Sequence, residues 1–100
     1  MIDKKDKYNI AVVGVTGAVG RRMLATLDER KFPVGHLSAL ASARSVGQRL
    51  PFSGGVAEVK ELREDSFMGI DIALFSAGSS VSKKYAPIAV ESGCFVIDNS

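Results

Sequence analysis

Gly14-Val15-Thr16-Gly17-Ala18-Val19-Gly20 lies between an apolar run and a segment of helical periodicity. In that setting glycines let the chain turn sharply, and they let backbone N–H groups approach a ligand that side chains would hold off. The stretch therefore reads as a phosphate-binding turn at a helix N-terminus. Its spacing, G-x-x-G-x-x-G, departs from the G-x-G-x-x-G of the usual dinucleotide fingerprint. A triphosphate-binding turn, G-x-x-x-x-G-K-[ST], is disfavoured because Gly20 is followed by Arg21 and Arg22. A bare turn that packs a helix onto a strand would use the same glycines. Thr16 argues for the ligand, since its hydroxyl can donate to a phosphate oxygen and a bare turn has no need of it.

Immediately before the glycines, residues 8–13 read Tyr-Asn-Ile-Ala-Val-Val, a run of β-formers with consecutive apolar positions. That pattern predicts a strand covered on both faces, as in the middle of a parallel sheet. After them, Val19, Met23 and Leu27 stand four apart with Leu24 beside them, which predicts a helix over 18–30 with Arg21, Arg22, Asp28 and Glu29 on its wet face. Pro33 and Gly35 are expected to end the helix and turn the chain back.

A second strand is expected over 36–41, followed by a polar loop, Ser42-Ala43-Arg44-Ser45-Val46-Gly47. Residues 50–62 contain Gly54-Gly55 and alternating Val56, Glu58 and Lys60, which reads as loop and a half-exposed strand. A helical turn over 64–69 precedes a buried strand over 70–75. Ser76-Ala77-Gly78-Ser79-Ser80 then forms a second small-residue turn. A helix over 81–92, kinked or restarted at Pro87, ends at Gly93, and 94–97 (Cys-Phe-Val-Ile) form the last strand.

This order of strands and helices predicts an α/β domain: a Rossmann-like, doubly wound, mainly parallel sheet with right-handed crossovers. Ligands of such sheets bind at the C-terminal ends of the strands, near the reversal of strand order. Loops 14–20, 42–47 and 76–80 all fall there. The middle one separates cofactors. An NAD site places an acid about 20 residues beyond the glycines to accept from the ribose 2′-OH. Leu40-Ala41-Ser42 offers none, and Ser42, Arg44 and Ser45 supply two hydroxyls and a guanidinium. That set suits the 2′-phosphate of NADP, which a carboxylate would repel.

Composition narrows the remaining classes. The 100 residues allow one domain, small for an enzyme that must hold both cofactor and substrate. An apolar fraction of 46% with 24% charged residues marks an ordinary globular domain, and a net charge of +2 is too balanced for a nucleic-acid surface. Lys4, Lys5 and Lys7 read as part of a flexible basic tail over 1–7, with the dinucleotide-binding domain over 8–100. One cysteine and one histidine cannot build a zinc or iron site, so no metal is expected. No secretory signal or run of the ~18 apolar residues needed for a membrane span is visible, so a cytoplasmic location without membrane contact is expected. Cys94 opens an apolar strand and is expected to be an inert buried thiol. His36 lies away from the strand C-termini and is assigned a structural part.

Gly14-Val15-Thr16-Gly17-Ala18-Val19-Gly20, Ala41-Ser42-Ala43-Arg44-Ser45, Phe75-Ser76-Ala77-Gly78-Ser79-Ser80 and Val96-Ile97-Asp98-Asn99-Ser100 together resemble the N-terminal half of bacterial aspartate-semialdehyde dehydrogenases. The likeness runs over nearly the whole chain from Tyr8. It implies NADP as cofactor, with Gly14, Thr16, Gly17, Ala18 and Val19 at its pyrophosphate and Ser42, Arg44 and Ser45 at its 2′-phosphate. Ser76 and Gly78 would line the cleft, and Asn99 would approach the active site. Gln48 departs from the lysine that many members carry there, which would weaken the 2′-phosphate contact.

The implied reaction is the NADPH-dependent reductive dephosphorylation of aspartyl 4-phosphate to aspartate semialdehyde, which feeds lysine (through diaminopimelate), methionine and threonine synthesis. The resemblance also implies a homodimeric parent. Such chemistry needs a thiolate nucleophile, a proton-transferring histidine and substrate-binding arginines. None is identified in this chain, so no catalytic residue is assigned, the catalytic and dimerisation domain is expected to be absent, and the 100 residues alone are expected to be inactive. The ending after a buried strand is expected to be a truncation. An N-acetyl-glutamyl-phosphate reductase domain, with the same chemistry on a longer acid, and a non-catalytic NADP-binding module stay open as alternatives.

Overall fold

A computed structural model describes residues 5–99, so Lys4 of the basic run and Ser100 of the last motif lie outside the described residues. The elements are β1 (Tyr8–Val13), α1 (Ala18–Glu29), β2 (Val34–Ala41), a 3-10 turn (Ala43–Ser45), β3 (Arg49–Phe52), β4 (Gly55–Glu61), β5 (Ile72–Phe75), α2 (Ser79–Glu91) and β6 (Phe95–Asp98). One sheet takes the order β3-β4-β2-β1-β5-β6. All its pairings are parallel except that of β3 with β4. The expected doubly wound, mainly parallel α/β domain is what forms. Strand order reverses at β1, which pairs with β2 on one side and β5 on the other.

β1 is interior, and its side chains divide between two cores as strand alternation requires. Ile10 and Val12 join Leu24, Ala39, Leu50 and Val59 on the α1 face. Ala11 and Val13 join Phe67, Ala73, Phe75 and Ala89 on the α2 face. Ile10 through Val13 are at most 1% exposed, which explains their consecutive apolar pattern.

Several boundaries differ from the sequence reading for identifiable reasons. The helix end expected at Pro33 and Gly35 is made earlier: Lys31 takes a left-handed φ of 52° just beyond α1 and its amide bonds back to the Asp28 carbonyl. Pro33 instead accepts from the Tyr8 amide at 2.8 Å, and Gly35 lies within β2. The region read as loop and one strand is a hairpin. Phe52 pairs with Gly55 across Ser53 and Gly54, whose φ angles of 53° and 78° suit a tight primed turn. Pro51 is accommodated because β3 is an edge strand.

Residues 64–69, expected as a helical turn, form successive turns, with bonds such as Ser66 amide to Arg63 carbonyl. They drop Phe67 into the core against Phe75, ring centroids 5.8 Å apart. β5 runs from Ile72, and just before it the Asp71 carboxylate accepts from the Asn9 amide through Oδ2 at 2.7 Å and from Lys5 Nζ through Oδ1 at 2.5 Å. α2 runs unbroken through Pro87, starting two residues earlier than expected, at Ser79.

Candidate functional site

The loops singled out in the sequence meet above the C-terminal ends of β1, β2 and β5, around a cavity of about 440 Å³. Gly14 follows β1 with a φ of 83°, and its amide donates to the Leu40 carbonyl at 2.9 Å. Its carbonyl turns inward and accepts from the Gly17 amide at 3.2 Å. Ser76, at the end of β5, donates its hydroxyl to the Val13 carbonyl at 3.1 Å, holding the second small-residue turn against the first.

α1 begins at Ala18 with Gly17 as N-cap. No side chain caps this end and no acidic residue stands in its first turn. The first N–H groups of a helix have no intrahelical partner. Those of Ala18 and Val19 are therefore donors aimed out of the helix end, reinforced by its dipole. Arg21 makes the first helical bond, amide to Gly17 carbonyl at 2.9 Å, and its Nε also donates to the Thr16 carbonyl at 3.0 Å.

The glycines have separable reasons. A β-carbon on Gly14 would stand 2.8 Å from Ala77 Cα, and one on Gly20 would collide with the Gly14 carbonyl oxygen. A β-carbon on Gly17 meets nothing nearer than that oxygen at 3.6 Å, an ordinary contact, and φ there is −76°. Neither packing nor conformation requires glycine at 17.

The loop after β2 is held in place by its own bonds: the Ser45 amide donates to Ser42, and the Gly47 amide to Val59 on β4. The 3-10 turn presents Ser45 with its hydroxyl 3.4 Å from that of Thr16, linking the first two loops. Arg44 is exposed and has no hydrogen bond or ion pair among the described residues. Among the described residues, no carboxylate lines the cavity.

Of the residues predicted for the site, Gly14, Thr16, Gly17, Ser42 and Ser76 line this cavity together. Ala18 is in the first turn of α1, Arg44 and Ser45 are on the adjoining 3-10 turn, and Gly78 caps α2 with a φ of 97°. The side chains of Val19 and Asn99 are not brought into it. They line a second cavity of about 400 Å³ on the α1 face, beside Met23 and Leu74, and the Asn99 amide extends the sheet by donating to Phe75.

The sequence reading missed an apolar wall. Leu62, Val81 and Tyr85 line the first cavity together with the glycines. The spacing of Val81 and Tyr85, one helical turn apart just after the Gly78 turn, was the available signal. Leu62 carried none, since its position depends on its amide pairing with the Ala41 carbonyl.

Cys94 is buried and its thiol donates to the Ile70 carbonyl at 3.3 Å. Burial pushes its pKa up, and the negative charge of Asp71 adds to the shift. His36 is exposed on β2 opposite Asn9, far from the cavity along the strand. No group of three or more His, Cys, Asp or Glu that could hold a metal occurs among the described residues, and no helix there is long and apolar enough to cross a membrane.

The family model for the semialdehyde dehydrogenase NAD-binding domain matches residues 9–100. An aspartate-semialdehyde dehydrogenase of Campylobacter jejuni is 57% identical over 96 residues, which cover 94% of this chain and 28% of that protein. The crystal structure of aspartate semialdehyde dehydrogenase II from Vibrio cholerae, complexed with ASA, superposes with a TM-score of 0.91 at 49% identity, over 94% of this chain and 31% of that one. The Candida albicans enzyme, solved with NADP, shares the fold at a TM-score of 0.74 and 23% identity, over 94% of this chain and 30% of that one. The chain thus spans under a third of the length of these proteins.

Proposed function

Because the chain belongs to the semialdehyde dehydrogenase NAD-binding domain family, we propose that it is the NADP-binding portion of an aspartate-semialdehyde dehydrogenase. The parent enzyme would reduce L-aspartyl 4-phosphate to L-aspartate 4-semialdehyde with release of phosphate, in lysine, methionine and threonine synthesis, and would work in the cytoplasm as a homodimer. The observation that carries the reading is Gly17, a glycine that packing does not require, at the uncapped start of α1.

The residues divide the work by chemistry. The amides of Ala18 and Val19 and the Thr16 hydroxyl donate to the pyrophosphate. Arg44, with the hydroxyls of Ser42 and Ser45, grips the 2′-phosphate through charge-assisted bonds. Leu62, Val81 and Tyr85 offer an apolar wall for adenine. Ser76 at the end of β5 and Gly78 at the start of α2 would line the cleft, and Asn99, whose amide donates to the Phe75 carbonyl, would approach the active site. The bound cofactor supplies a hydride. The thiolate and histidine that the reaction also needs belong, on this reading, to the part of the relatives' length that the chain does not span.

The test is a fluorescence titration with both cofactors. NADPH is expected to bind at least about tenfold more tightly than NADH, and Arg44→Ala to remove most of that preference. Equal affinities in the wild type would overturn the assignment of NADP. Phosphate-dependent oxidation of aspartate semialdehyde by these 100 residues alone would overturn the division of labour.

A further inference from the structure

We propose that Arg21 is a positioning residue for the cofactor pyrophosphate, acting through the peptide plane between Thr16 and Gly17; this rests on the nucleotide-binding reading above. That plane carries two groups of opposite polarity at the edge of the site. The Gly17 amide turns inward to the Gly14 carbonyl at 3.2 Å, and the Thr16 carbonyl turns outward to Arg21 Nε at 3.0 Å. With glycine on one side, a flip of the plane meets little steric resistance. The flip would turn a carbonyl oxygen toward a site that must present donors to an anion.

The guanidinium opposes that flip. It reaches back from the first turn of α1 over the outside of the loop, and the planar fork fixes the direction of the N–H it donates. It has no carboxylate partner among the described residues, so its charge stays available beside the helix end. Arg22, the next residue, makes no comparable bond; its side chain lines the cavity on the α1 face. The two arginines after Gly20 therefore differ in what they do, and only the first addresses the phosphate turn.

The test uses Arg21→Ala, Arg21→Lys and Arg22→Ala in the full-length protein, with NADPH affinity measured at low salt and at about 0.5 M salt, where charge effects beyond a few ångström are screened. Arg21→Ala is expected to weaken NADPH about five- to twentyfold. Arg21→Lys, which keeps the charge without the fork, should recover only part of the loss. The deficit should persist in high salt, with thermal midpoints unchanged and Arg22→Ala binding like the wild type. Full recovery in Arg21→Lys together with disappearance of the deficit in salt would reduce Arg21 to a bare charge and overturn the proposal. An affinity loss that tracks a fall in thermal midpoint in both Arg21 variants would overturn it as merely structural. Wild-type affinity in Arg21→Ala would overturn it alone, whereas a wild type that binds neither NADPH nor NADH would overturn the cofactor reading beneath it.

Discussion

A β-carbon on Gly20 would stand 2.1 Å from the carbonyl oxygen of Gly14, and 2.7 Å from Val15 Cα. No side chain fits that gap, so the close seating of α1 on the turn after β1 depends on Gly20 having none. Gly20→Ala is expected to cost about 2–3 kcal/mol of stability through overpacking against backbone that cannot yield. Gly17→Ala should instead keep the thermal midpoint, since its methyl group meets only the Gly14 oxygen at 3.6 Å, and on the proposed reading should lose NADPH affinity. Melting curves and cofactor titrations of the two variants separate the roles. Wild-type affinity in Gly17→Ala would mean that no phosphate comes close to this turn.

Tyr85 and Val81 stand one turn apart on α2 and line the same cavity as Gly14 and Gly17. If adenine lies against them, Tyr85→Ala should weaken NADPH and 2′,5′-ADP by the same factor, about tenfold for loss of an aromatic wall. A fragment that carries only the nicotinamide half should be unaffected. Isothermal titration with the three ligands reads this directly, and a loss confined to intact NADPH would place the adenine elsewhere.

What the sequence disclosed follows from how local each signal was. Ile10 to Val13 announced a doubly covered strand because both faces of the sheet are dry at that point, and the glycines announced a turn because backbone geometry demanded them at 14 and 20. The hairpin at Ser53 and Gly54 was obscured because serine at a positive φ is uncommon and Pro51 argues against a strand unless it lies at an edge. Leu62 could not be assigned to the site at all. Its place there comes from pairing with Ala41, twenty-one residues earlier, and no local pattern encodes that partner. Similarly, Arg21 reads in sequence as a wet-face residue, and only the bond to the Thr16 carbonyl ties it to the loop.

Cys94 combines burial with a thiol pKa raised first by desolvation and then by the Asp71 charge, so little nucleophilic thiolate forms near neutral pH. Alkylation by iodoacetamide at pH 8 is therefore expected to be slow in the folded protein and fast in denaturant. Mass spectrometry of Cys94 with and without urea measures the contrast. Rapid modification of the native protein would contradict its place in the core.

Asp71 ties the N-terminal edge of the sheet together, and the arrangement sets a pH dependence whose sign is fixed. Its carboxylate accepts from Lys5 Nζ and from the Asn9 amide, and these, with the Lys5 bond the larger, hold its pKa below the ordinary carboxylate value despite some burial that works the other way. A carboxyl group with a lower pKa folded than unfolded contributes stability in full above its unfolded value, about pH 4, and loses that contribution as pH falls through the folded value. Urea midpoints of the wild type should therefore drop between about pH 5 and pH 2 more steeply than those of Asp71→Asn, which lacks the titrating group. Lys5 is 46% exposed, so part of the effect should shrink in salt, while the part due to the Asn9 amide should remain. Parallel acid profiles for wild type and Asp71→Asn would show that the carboxylate contributes nothing to this edge.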